Sequence, residues 1–381
     1  MPSLLCLATA GLAAQTAPAQ VSPNEMLKSP EVLADGHVVF RIYAPKAGTV
    51  TLMGDWIDRG QPALQLSKDA QGVWSATAGP LQAGFYSYSF TVDGVHTLDP
   101  KNYWYKPGIN PPDTQFEVPG PAARFAGDLD VPHGEVSEVW YHSHSLDRER
   151  SMRIYTPPGY RSGSQKYPVL YLLHGGGDDD SAWTEVGRIN FILDNLIAAG
   201  RAKPMIVVMP NGFVRDRAGN LPGHEDRLNP TRNSPPIEKD LLGDIMPLVE
   251  KEYRTAPGSE NRALSGLAVG GDQTVWIAMQ HPELFGYVAA FSAGLNLKRD
   301  PEFETRNAAF LSNPAKVNAE IRRFWIVYGA TDLNPATVKA LSAELTGHGI
   351  HNELRESPGG HTWINWRHWI ADILPQIFAE S

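Results

Sequence analysis

Hydrophobic residues follow two different patterns along the chain, and the change from one pattern to the other falls near residue 136. Before it, short segments rich in β-branched and aromatic residues are separated by turn residues. Four such segments are residues 37–43, 49–53, 73–77 and 85–92. The Asp93-Gly94 pair after the last of them is typical of a tight hairpin. Short strands at this spacing predict a small immunoglobulin-like β-sandwich over residues 28–118.

After residue 136 the apolar segments become continuous runs of strand length. Five candidate strands are residues 169–173, 205–209, 262–265, 288–291 and 324–328. Helical patterns occupy residues 191–199, 239–253, 273–280, 336–346 and 363–378. Continuous apolar strands are typical of parallel sheets that are buried on both faces. Their alternation with helices predicts an α/β domain over 136–381, with a parallel-dominated sheet and helices on both faces. Residues 119–135, rich in Pro, Gly, Ala and Asp, are expected to form a linker.

The first twenty residues have the features of a targeting segment. Residues 4–14 are apolar and small, and Ala17-Pro18-Ala19-Gln20 offers a cleavage site. We therefore expect residues 1–20 to be a signal peptide and the protein to be secreted or periplasmic. The alternative is a flexible tail, because no Lys or Arg precedes the apolar run.

Composition excludes several classes of function. The chain has 33 Lys and Arg against 42 Asp and Glu, a net charge of −9, which leaves no basic surface for nucleic acid. No apolar run reaches the roughly 18 residues of a membrane span, so we expect no membrane partner. Cys6 is the single cysteine, which excludes internal disulfides and thiolate clusters. His142 and His144 lack a partner set, and the aspartates 178–180, which could bind calcium, are interpreted as a solvated loop, so no metal site is expected.

Chemistry-bearing residues stand at the ends of the predicted strands. The segment 174–177, His-Gly-Gly-Gly, closes a buried strand and is similar to the turn that forms an oxyanion hole in α/β-hydrolases. Asp332 follows the strand ending near residue 328, and His361 precedes the last helix. An acid followed by a histidine is the order found at the end of the Ser…Asp…His sequence of those enzymes.

The expected nucleophile position holds an alanine. The segment 266–270 reads Gly-Leu-Ala-Val-Gly after a strand and before a helix, where a nucleophile elbow Gly-x-Ser-x-Gly belongs. A methyl group has no proton to give His361 and no lone pair to attack a carbonyl carbon. Ser265 and Ser292 are interpreted as ordinary strand or turn serines. As written, the chain lacks its nucleophile at Ala268.

These motifs together resemble carbohydrate esterase family 1 and the related enterochelin-esterase-like hydrolases over residues 137–378. The matching segments are 150–160, 174–177, 209–212, 266–271 and 360–363. The N-terminal part resembles a family 48 carbohydrate-binding module through residues 72–75, 84–88 and 92–94. The pairing resembles bacterial feruloyl esterases that act on arabinoxylan, and Ala268 is the one departure from the pattern.

The resemblance implies acyl transfer without a cofactor if a serine stood at position 268. His361 would take the hydroxyl proton, and Asp332 would hold its tautomer. The backbone N–H groups that would bind the oxyanion are those of Val269 and Gly176, with Gly177 as the alternative to Gly176. The side chains expected to wall the pocket for a phenolic acyl group are Trp183, Trp363 and Trp366.

The function predicted from the sequence is therefore a serine-type carboxylic ester hydrolase on feruloylated xylan or xylo-oligosaccharides, inactivated at Ala268. An engineered knockout is the favoured origin of Ala268, since the other residues expected in the catalytic site are all in place. The alternatives are a natural pseudoenzyme that binds carbohydrate, an acetyl-xylan esterase and a siderophore esterase. The acyl group, the sugar attachment and the oligomeric state stay open.

The role of the sandwich stays open too. Its aromatic residues Trp74, Tyr86 and Tyr88 are predicted to be core, and the turn residues Trp56, Trp104 and Tyr105 are better candidates for sugar stacking, although a structural role is favoured for them as well. We expect the module to matter for arabinoxylan and to be dispensable for a small ester. Residues 213–236 are expected either to overhang the site or to form a disordered loop.

Overall fold

The computed structural model describes residues 21–108, 110–213, 236–295, 297 and 302–379. The predicted signal peptide and nearly all of the long segment 213–236 lie outside these described residues. In the ranges just given, no helix is both long and apolar enough to cross a membrane.

Two antiparallel sheets stack into a β-sandwich at the N-terminal end of the described chain. After a short helix, Pro23–Met26, the strands are β1 (Glu31–Val32), β2 (Val38–Tyr43), β3 (Val50–Gly54), β4 (Leu64–Gln65), β5 (Ser67–Lys68), β6 (Val73–Ala78), β7 (Gly84–Val92), β8 (Val95–Thr97), β9 (Tyr105–Lys106) and β10 (Asp113–Val118). One sheet has the order β1-β2-β6-β5 and the other β4-β3-β7-β10-β9, with β8 paired to β7. The immunoglobulin-like sandwich predicted from the sequence is confirmed.

Aromatic side chains fill the space between these two sheets. Trp74, Tyr86 and Tyr88 are all buried there, as predicted. Trp56 folds into the same core, with its ring 5.5 Å from that of Phe40 in a stacked arrangement. Trp56 is therefore a core residue and not a platform for sugar.

The second part of the chain is built on one eight-stranded sheet with the order β11-β12-β14-β13-β15-β16-β17-β18. Its strands are β11 (Glu135–Ser143), β12 (Arg148–Thr156), β13 (Val169–Leu173), β14 (Ile206–Pro210), β15 (Arg262–Leu267), β16 (Tyr287–Phe291), β17 (Arg323–Thr331) and β18 (Glu353–Gly360). β11 and β12 are antiparallel to their neighbours, and the pairs from β14 to β18 are parallel. The parallel-dominated α/β-hydrolase sheet is confirmed.

Helices cover both faces of this sheet, because alternate residues of the central strands enter two different cores. Leu170 and Leu172 of β13 pack with the helices Ile189–Ala198 and Trp363–Ile373. Tyr171 and Leu173 pack on the opposite face. The helices on that face are Pro236–Asp240, the π-helical turn Leu241–Ile245, Met246–Glu252, Val269–Gln280, Pro314–Glu320 and Pro335–Gly347. Shorter helices are Ala182–Glu185, Phe303–Arg306 and Ala308–Leu311, and 3-10 turns are Pro121–Ala126, Ser259–Asn261 and Pro282–Leu284.

The segment between the sandwich and the sheet, predicted as a linker, is packed against the α/β part. Ala123 and Ala126 are buried in its core. The amide of Asn195 donates hydrogen bonds to the carbonyl oxygens of Phe125 and Gly127, at 3.1 and 2.9 Å.

One buried cation joins the sandwich to the α/β part. Arg367, only 3% exposed, lies on the helix Trp363–Ile373 and donates a hydrogen bond of 2.7 Å to the carbonyl oxygen of Val186. The same guanidinium donates to the carbonyl oxygen of Phe85 on β7. Because every donor of a buried guanidinium needs a partner, these bonds fix how β7 sits on the hydrolase.

Candidate active site

Ala268 stands at a strained turn between β15 and the helix Val269–Gln280. Its backbone has φ 49° and ψ −114°, a combination that costs a non-glycine residue of order 1–3 kcal/mol. The surrounding packing holds it, and its N–H donates a 2.8 Å hydrogen bond to the carbonyl oxygen of Phe291. This is the strand-turn-helix geometry of a nucleophile elbow, which projects the side chain at its tip away from the sheet.

Glycines let the strand and the helix of the elbow approach each other closely. A Cβ at Gly266 would lie 2.3 Å from the carbonyl oxygen of Gly270, and one at Gly270 would lie 2.4 Å from the carbonyl oxygen of His174. A Cβ atom and a non-bonded oxygen do not approach each other this closely, so the backbone would have to move. The spacing of the glycines is therefore a packing requirement of the turn.

Gly266→Ala is expected to lower the free energy of unfolding by about 1–3 kcal/mol, because the added methyl group overpacks the elbow. Gly347→Ala is the matched control, since a Cβ at that helix end meets no atom within 4 Å. Urea unfolding followed by circular dichroism measures both. Equal stability of the two variants would contradict the packing role of Gly266.

Asp332 and His361 meet at the carboxyl ends of β17 and β18. His361 Nδ1 lies 2.7 Å from Asp332 Oδ1, and only 3% of the Asp332 side chain is exposed. Burial alone would raise the pKa of Asp332, but hydrogen bonds from His361 and Ser292 outweigh it and hold that pKa below its usual value. His361 and Ala268 line the same cavity, of about 360 Å³. The structure thus brings together the three positions predicted from the sequence.

Ser292 also belongs to this cluster, although the sequence suggested only a turn serine. Its hydroxyl donates a 2.6 Å hydrogen bond to Asp332 Oδ2, and it accepts one of 3.0 Å from the indole N–H of Trp366. Its φ of 51° is rare for a non-glycine residue. The available signal was its position directly after β16, at the same edge of the sheet as Ala268 and Asp332.

Ser292→Ala, made together with Ala268→Ser, is expected to lower kcat roughly tenfold relative to Ala268→Ser alone. One of the hydrogen bonds that hold the Asp332 carboxylate is lost, and such charge-assisted bonds are worth about 1.5–3 kcal/mol. Ser265→Ala is the matched control, because this buried hydroxyl has no partner among the described residues. Equal kcat values for the two double variants would show that Ser292 does not position the acid.

The glycine-rich turn after β13 lies against the elbow. Gly175 and Gly176 line the cavity beside Ala268, and a Cβ at Gly176 would lie 3.3 Å from Val269 Cγ2. Gly177 does not line the cavity, and its carbonyl oxygen accepts a 3.2 Å hydrogen bond from the N–H of Asn110. This placement favours Gly176 over Gly177 as the partner of Val269 in an oxyanion hole.

His174 braces this turn and does not enter the cavity. Its Nε2 accepts a 2.8 Å hydrogen bond from the N–H of Gly212, while Nδ1 lies 2.9 Å from the carbonyl oxygen of Gly175. The acceptor role of Nε2 places the proton on Nδ1, which then donates to Gly175. His174 thus holds two loops at the edge of the cavity.

The three predicted tryptophans divide into two roles. Trp363 and Trp366 line the cavity beside His361. Trp183 does not, which corrects the prediction. It is 1% exposed, its indole N–H donates to the carbonyl oxygen of Leu173, and its ring packs edge-on against Trp363 at 5.1 Å. A residue enclosed in this way supports the wall from behind and cannot touch a ligand.

Another part of the cavity wall comes from the sandwich. Its lining residues from that part are Met53, Gly54, Asp55, Ile57, Ser87, Tyr88, Ser89, Lys106 and Asp113. Lys106 Nζ lies 3.2 Å from Asp178 Oδ1, just after the glycine-rich turn. A Cβ at Gly108 would lie 2.6 Å from the carbonyl oxygen of Gly177. The sandwich therefore lies directly on the glycine-rich turn. That a small ester needs only residues after 136 stays a prediction, and these contacts argue against it.

The other candidate binding residues lie apart from this wall. Trp104 packs edge-on against Phe85 at 6.1 Å, and Tyr105 is 54% exposed outside the cavity. Over the ranges that the structure describes, no cluster of three or more His, Cys, Asp and Glu side chains could hold a metal ion.

Fold and site together define an α/β-hydrolase of the esterase class that carries an immunoglobulin-like module. Residues 143–377 match the esterase family model described as "Putative esterase", and the chain belongs to this family. Residues 27–107 match the model of carbohydrate-binding module 48, the isoamylase N-terminal domain.

Named relatives agree with this classification. An endo-1,4-beta-xylanase/feruloyl esterase of Xylanibacter ruminicola is 30% identical over 361 residues, which are 92% of this chain and 46% of the relative. An endo-1,4-beta-xylanase Y of Acetivibrio thermocellus is 25% identical over 62% of this chain and 22% of its own length. The chain thus spans less than half the length of these two relatives.

Solved structures show the same fold. A CE1 ferulic acid esterase of the anaerobic fungus Anaeromyces mucronatus has a TM-score of 0.55 at 26% identity, over 67% of this chain and 95% of its own. The enterobactin esterase of Shigella flexneri has a TM-score of 0.68 at 18% identity, over 94% of this chain and 99% of its own. The match to the enterobactin esterase covers enough of this chain to include the sandwich.

Proposed function

We propose that this chain is a serine-type carboxylic ester hydrolase that releases ferulic acid or a related hydroxycinnamic acid from arabinoxylan, and that Ala268 inactivates it. The observation that carries the proposal is the strained elbow at Ala268, which opens on the same cavity as the hydrogen-bonded pair His361 and Asp332. On this proposal the site lacks only the nucleophilic oxygen.

A serine at position 268 would complete a two-step reaction. His361 Nδ1 is occupied by Asp332, so Nε2 is the nitrogen that can take the hydroxyl proton while the oxygen attacks the ester carbon. The carbonyl oxygen becomes negative and receives hydrogen bonds from the backbone N–H groups of Gly176 and Val269. His361 returns the proton to the leaving alcohol. Water then attacks the acyl-enzyme by the same route and releases the acid.

The feruloyl assignment rests on the relatives and on the cavity. The Xylanibacter relative is named a feruloyl esterase, and the Anaeromyces structure is named a ferulic acid esterase. The indole rings of Trp363 and Trp366 offer an aromatic wall next to the reaction centre, which suits an aryl group. The sandwich supports a polysaccharide substrate, because it matches a carbohydrate-binding module.

A panel of esters tested on the Ala268→Ser variant checks this function. Methyl ferulate and methyl 4-hydroxycinnamate should be hydrolysed faster than an acetyl ester or a catecholate siderophore ester, and feruloylated arabinoxylan should release ferulate. A preference for acetyl or siderophore esters would overturn the feruloyl assignment while keeping the esterase.

Ala268 itself supports a second candidate, a natural pseudoenzyme that binds carbohydrate. Sequencing codon 268 of the source gene distinguishes the two histories. A serine codon there identifies the chain as a knockout, which we favour because the elbow keeps its strained backbone. An alanine codon, together with binding of xylo-oligosaccharide by the unaltered chain, would favour the pseudoenzyme.

Export to the periplasm or the medium is part of the proposal. It rests on the apolar residues 4–14 and the small residues that follow them. Expression of the source gene in its own host, followed by fractionation and N-terminal sequencing, tests it. A cytoplasmic protein that retains Met1 would contradict export.

A further inference from the structure

A carboxyl group from the sandwich lies on the wall of the catalytic cavity. Asp55 follows β3 directly and lines the cavity that Ala268 and His361 also line. Its N–H donates a 3.0 Å hydrogen bond to the carbonyl oxygen of Ser87, and its Oδ2 accepts one of 3.1 Å from the N–H of Ser87. This pair of bonds ties Asp55 to β7 through both its backbone and its side chain.

Neighbouring aromatic packing makes the position of Asp55 rigid. The Trp56 ring folds back over Gly54, where a Cβ would lie 2.2 Å from the ring. That ring is held in the sandwich core, edge-on to Tyr86 and Phe116 at 6.0 and 5.7 Å. The carboxyl group is therefore pre-organised, so that little of its conformational entropy is lost when a ligand binds.

The second oxygen of this carboxyl group has no hydrogen-bond partner. Asp55 Oδ1 is buried and unpaired among the residues that the structure describes. The nearby guanidinium of Arg367 gives hydrogen bonds to the carbonyl oxygens of Phe85 and Val186 instead. Burial raises the pKa of Asp55 to about 7, against the opposing charge of Arg367. A buried, unpaired carboxyl oxygen costs free energy, and a functional role is one of the explanations for such a group in a native structure.

The two walls of the cavity differ in character. Trp363 and Trp366 form an aromatic wall beside His361, whereas Asp55, Lys106 and Asp113 form a polar wall on the sandwich. A ligand with an apolar body and a hydroxyl group at one end complements both walls. Lys106 is already paired with Asp178 at 3.2 Å. Asp55 adds to this wall a buried carboxyl oxygen that has no hydrogen-bond partner among the described residues.

We propose that Asp55 is a specificity-determining residue, whose carboxyl group forms a hydrogen bond with a hydroxyl group of the bound substrate. The inference rests on the proposed esterase function and assigns a substrate-binding residue to the sandwich. The hydroxyl can come from the phenol of a hydroxycinnamoyl group or from the sugar that carries it. Both offer the same chemistry, and ligands that differ by one group distinguish them.

The test uses the full chain with Ala268 in place, so that the ligands are bound but not hydrolysed. Binding of methyl cinnamate, methyl 4-hydroxycinnamate and an arabinosyl cinnamate is measured by calorimetry for the parent, Asp55→Asn and Asp58→Asn. Asn keeps the shape and the acceptor for Ser87 but presents an amide. Asp58 is an exposed aspartate of the same segment and serves as the matched control.

Asp55→Asn is expected to raise the Kd of a hydroxylated ligand roughly 10- to 100-fold and to leave that of methyl cinnamate unchanged. Weakening of methyl 4-hydroxycinnamate identifies the phenol as the source, and weakening of the arabinosyl ester alone identifies the sugar. Equal effects on all three ligands, or no effect on any of them, would overturn the proposal. Thermal unfolding of each variant shows that the fold is retained.

Different experimental results would reject this inference and the proposed function. If Ala268→Ser hydrolyses no ester while binding still depends on Asp55, the esterase is rejected and the hydroxyl site stands. If Ala268→Ser is active and Asp55→Asn leaves its preference for both methyl 4-hydroxycinnamate and arabinosyl cinnamate over methyl cinnamate unchanged, the esterase stands and the role of Asp55 is rejected.

Discussion

Ala268→Ser is expected to raise kcat for methyl ferulate by on the order of 10⁶-fold, the loss measured when a protease loses its catalytic serine. The physical reason is that the rest of the site is already built. The backbone at position 268 holds the elbow conformation, His361 is oriented by Asp332, and the glycine-rich turn lies beside Val269. Adding one oxygen atom requires no rearrangement of the backbone.

A double variant controls for this gain. Ala268→Ser combined with His361→Ala should return kcat close to that of the parent, because a serine without its base is a poor nucleophile and the members of a triad act as a unit. Steady-state hydrolysis of methyl ferulate measures all three chains. An Ala268→Ser chain that is as inert as the parent on every aryl and acetyl ester would reject the esterase.

Asp332→Asn in the Ala268→Ser background is expected to lower kcat about 10⁴-fold with little change in KM. Asp332 accepts from His361 Nδ1 at 2.7 Å, which keeps the proton on Nδ1 and leaves Nε2 as the base. An amide can donate to Nδ1 and stabilise the wrong tautomer, and it cannot stabilise the imidazolium that forms in the reaction.

Asp372→Asn, an exposed aspartate on the helix Trp363–Ile373, is the matched control and should leave kcat unchanged. Circular dichroism shows whether both variants keep the fold. If Asp332→Asn and Asp372→Asn had equal kcat values, Asp332 would not be the acid of the triad.

Strand prediction succeeded where burial is complete and failed where it is partial. The five apolar runs after residue 136 became β13 to β17 because a strand covered on both faces needs apolar residues at every position. β12, next to the edge strand β11, and β18 at the opposite edge were missed. β18 reads Glu-Leu-Arg-Glu-Ser-Pro-Gly-Gly, with no buried residue, so it carries no apolar run. An edge strand is less buried than a central strand, so its sequence needs fewer apolar residues and shows a weaker hydrophobic pattern.

The sequence by itself determined the fold class and the positions 268, 332 and 361. These follow from local motifs at strand ends, and parallel strands that end at one edge of a sheet bring such motifs together without further information. The elbow needs glycines where its strand and its helix approach each other closely. The spacing of the glycines around Ala268 therefore predicted the turn from the sequence alone.

Only the tertiary structure decided which surfaces meet at the cavity. It placed Trp183 behind Trp363, joined Ser292 to Asp332, and set Asp55 of the sandwich in the wall of the cavity that His361 also lines. These contacts join residues far apart in sequence, and the placement of Asp55 depends in addition on how the sandwich docks on the α/β part, where Arg367 bonds Val186 and Phe85. Periodicity reports which residues face a core, but it does not report which other segment covers them. The catalytic cavity is therefore shared between two parts that the sequence had suggested could work apart.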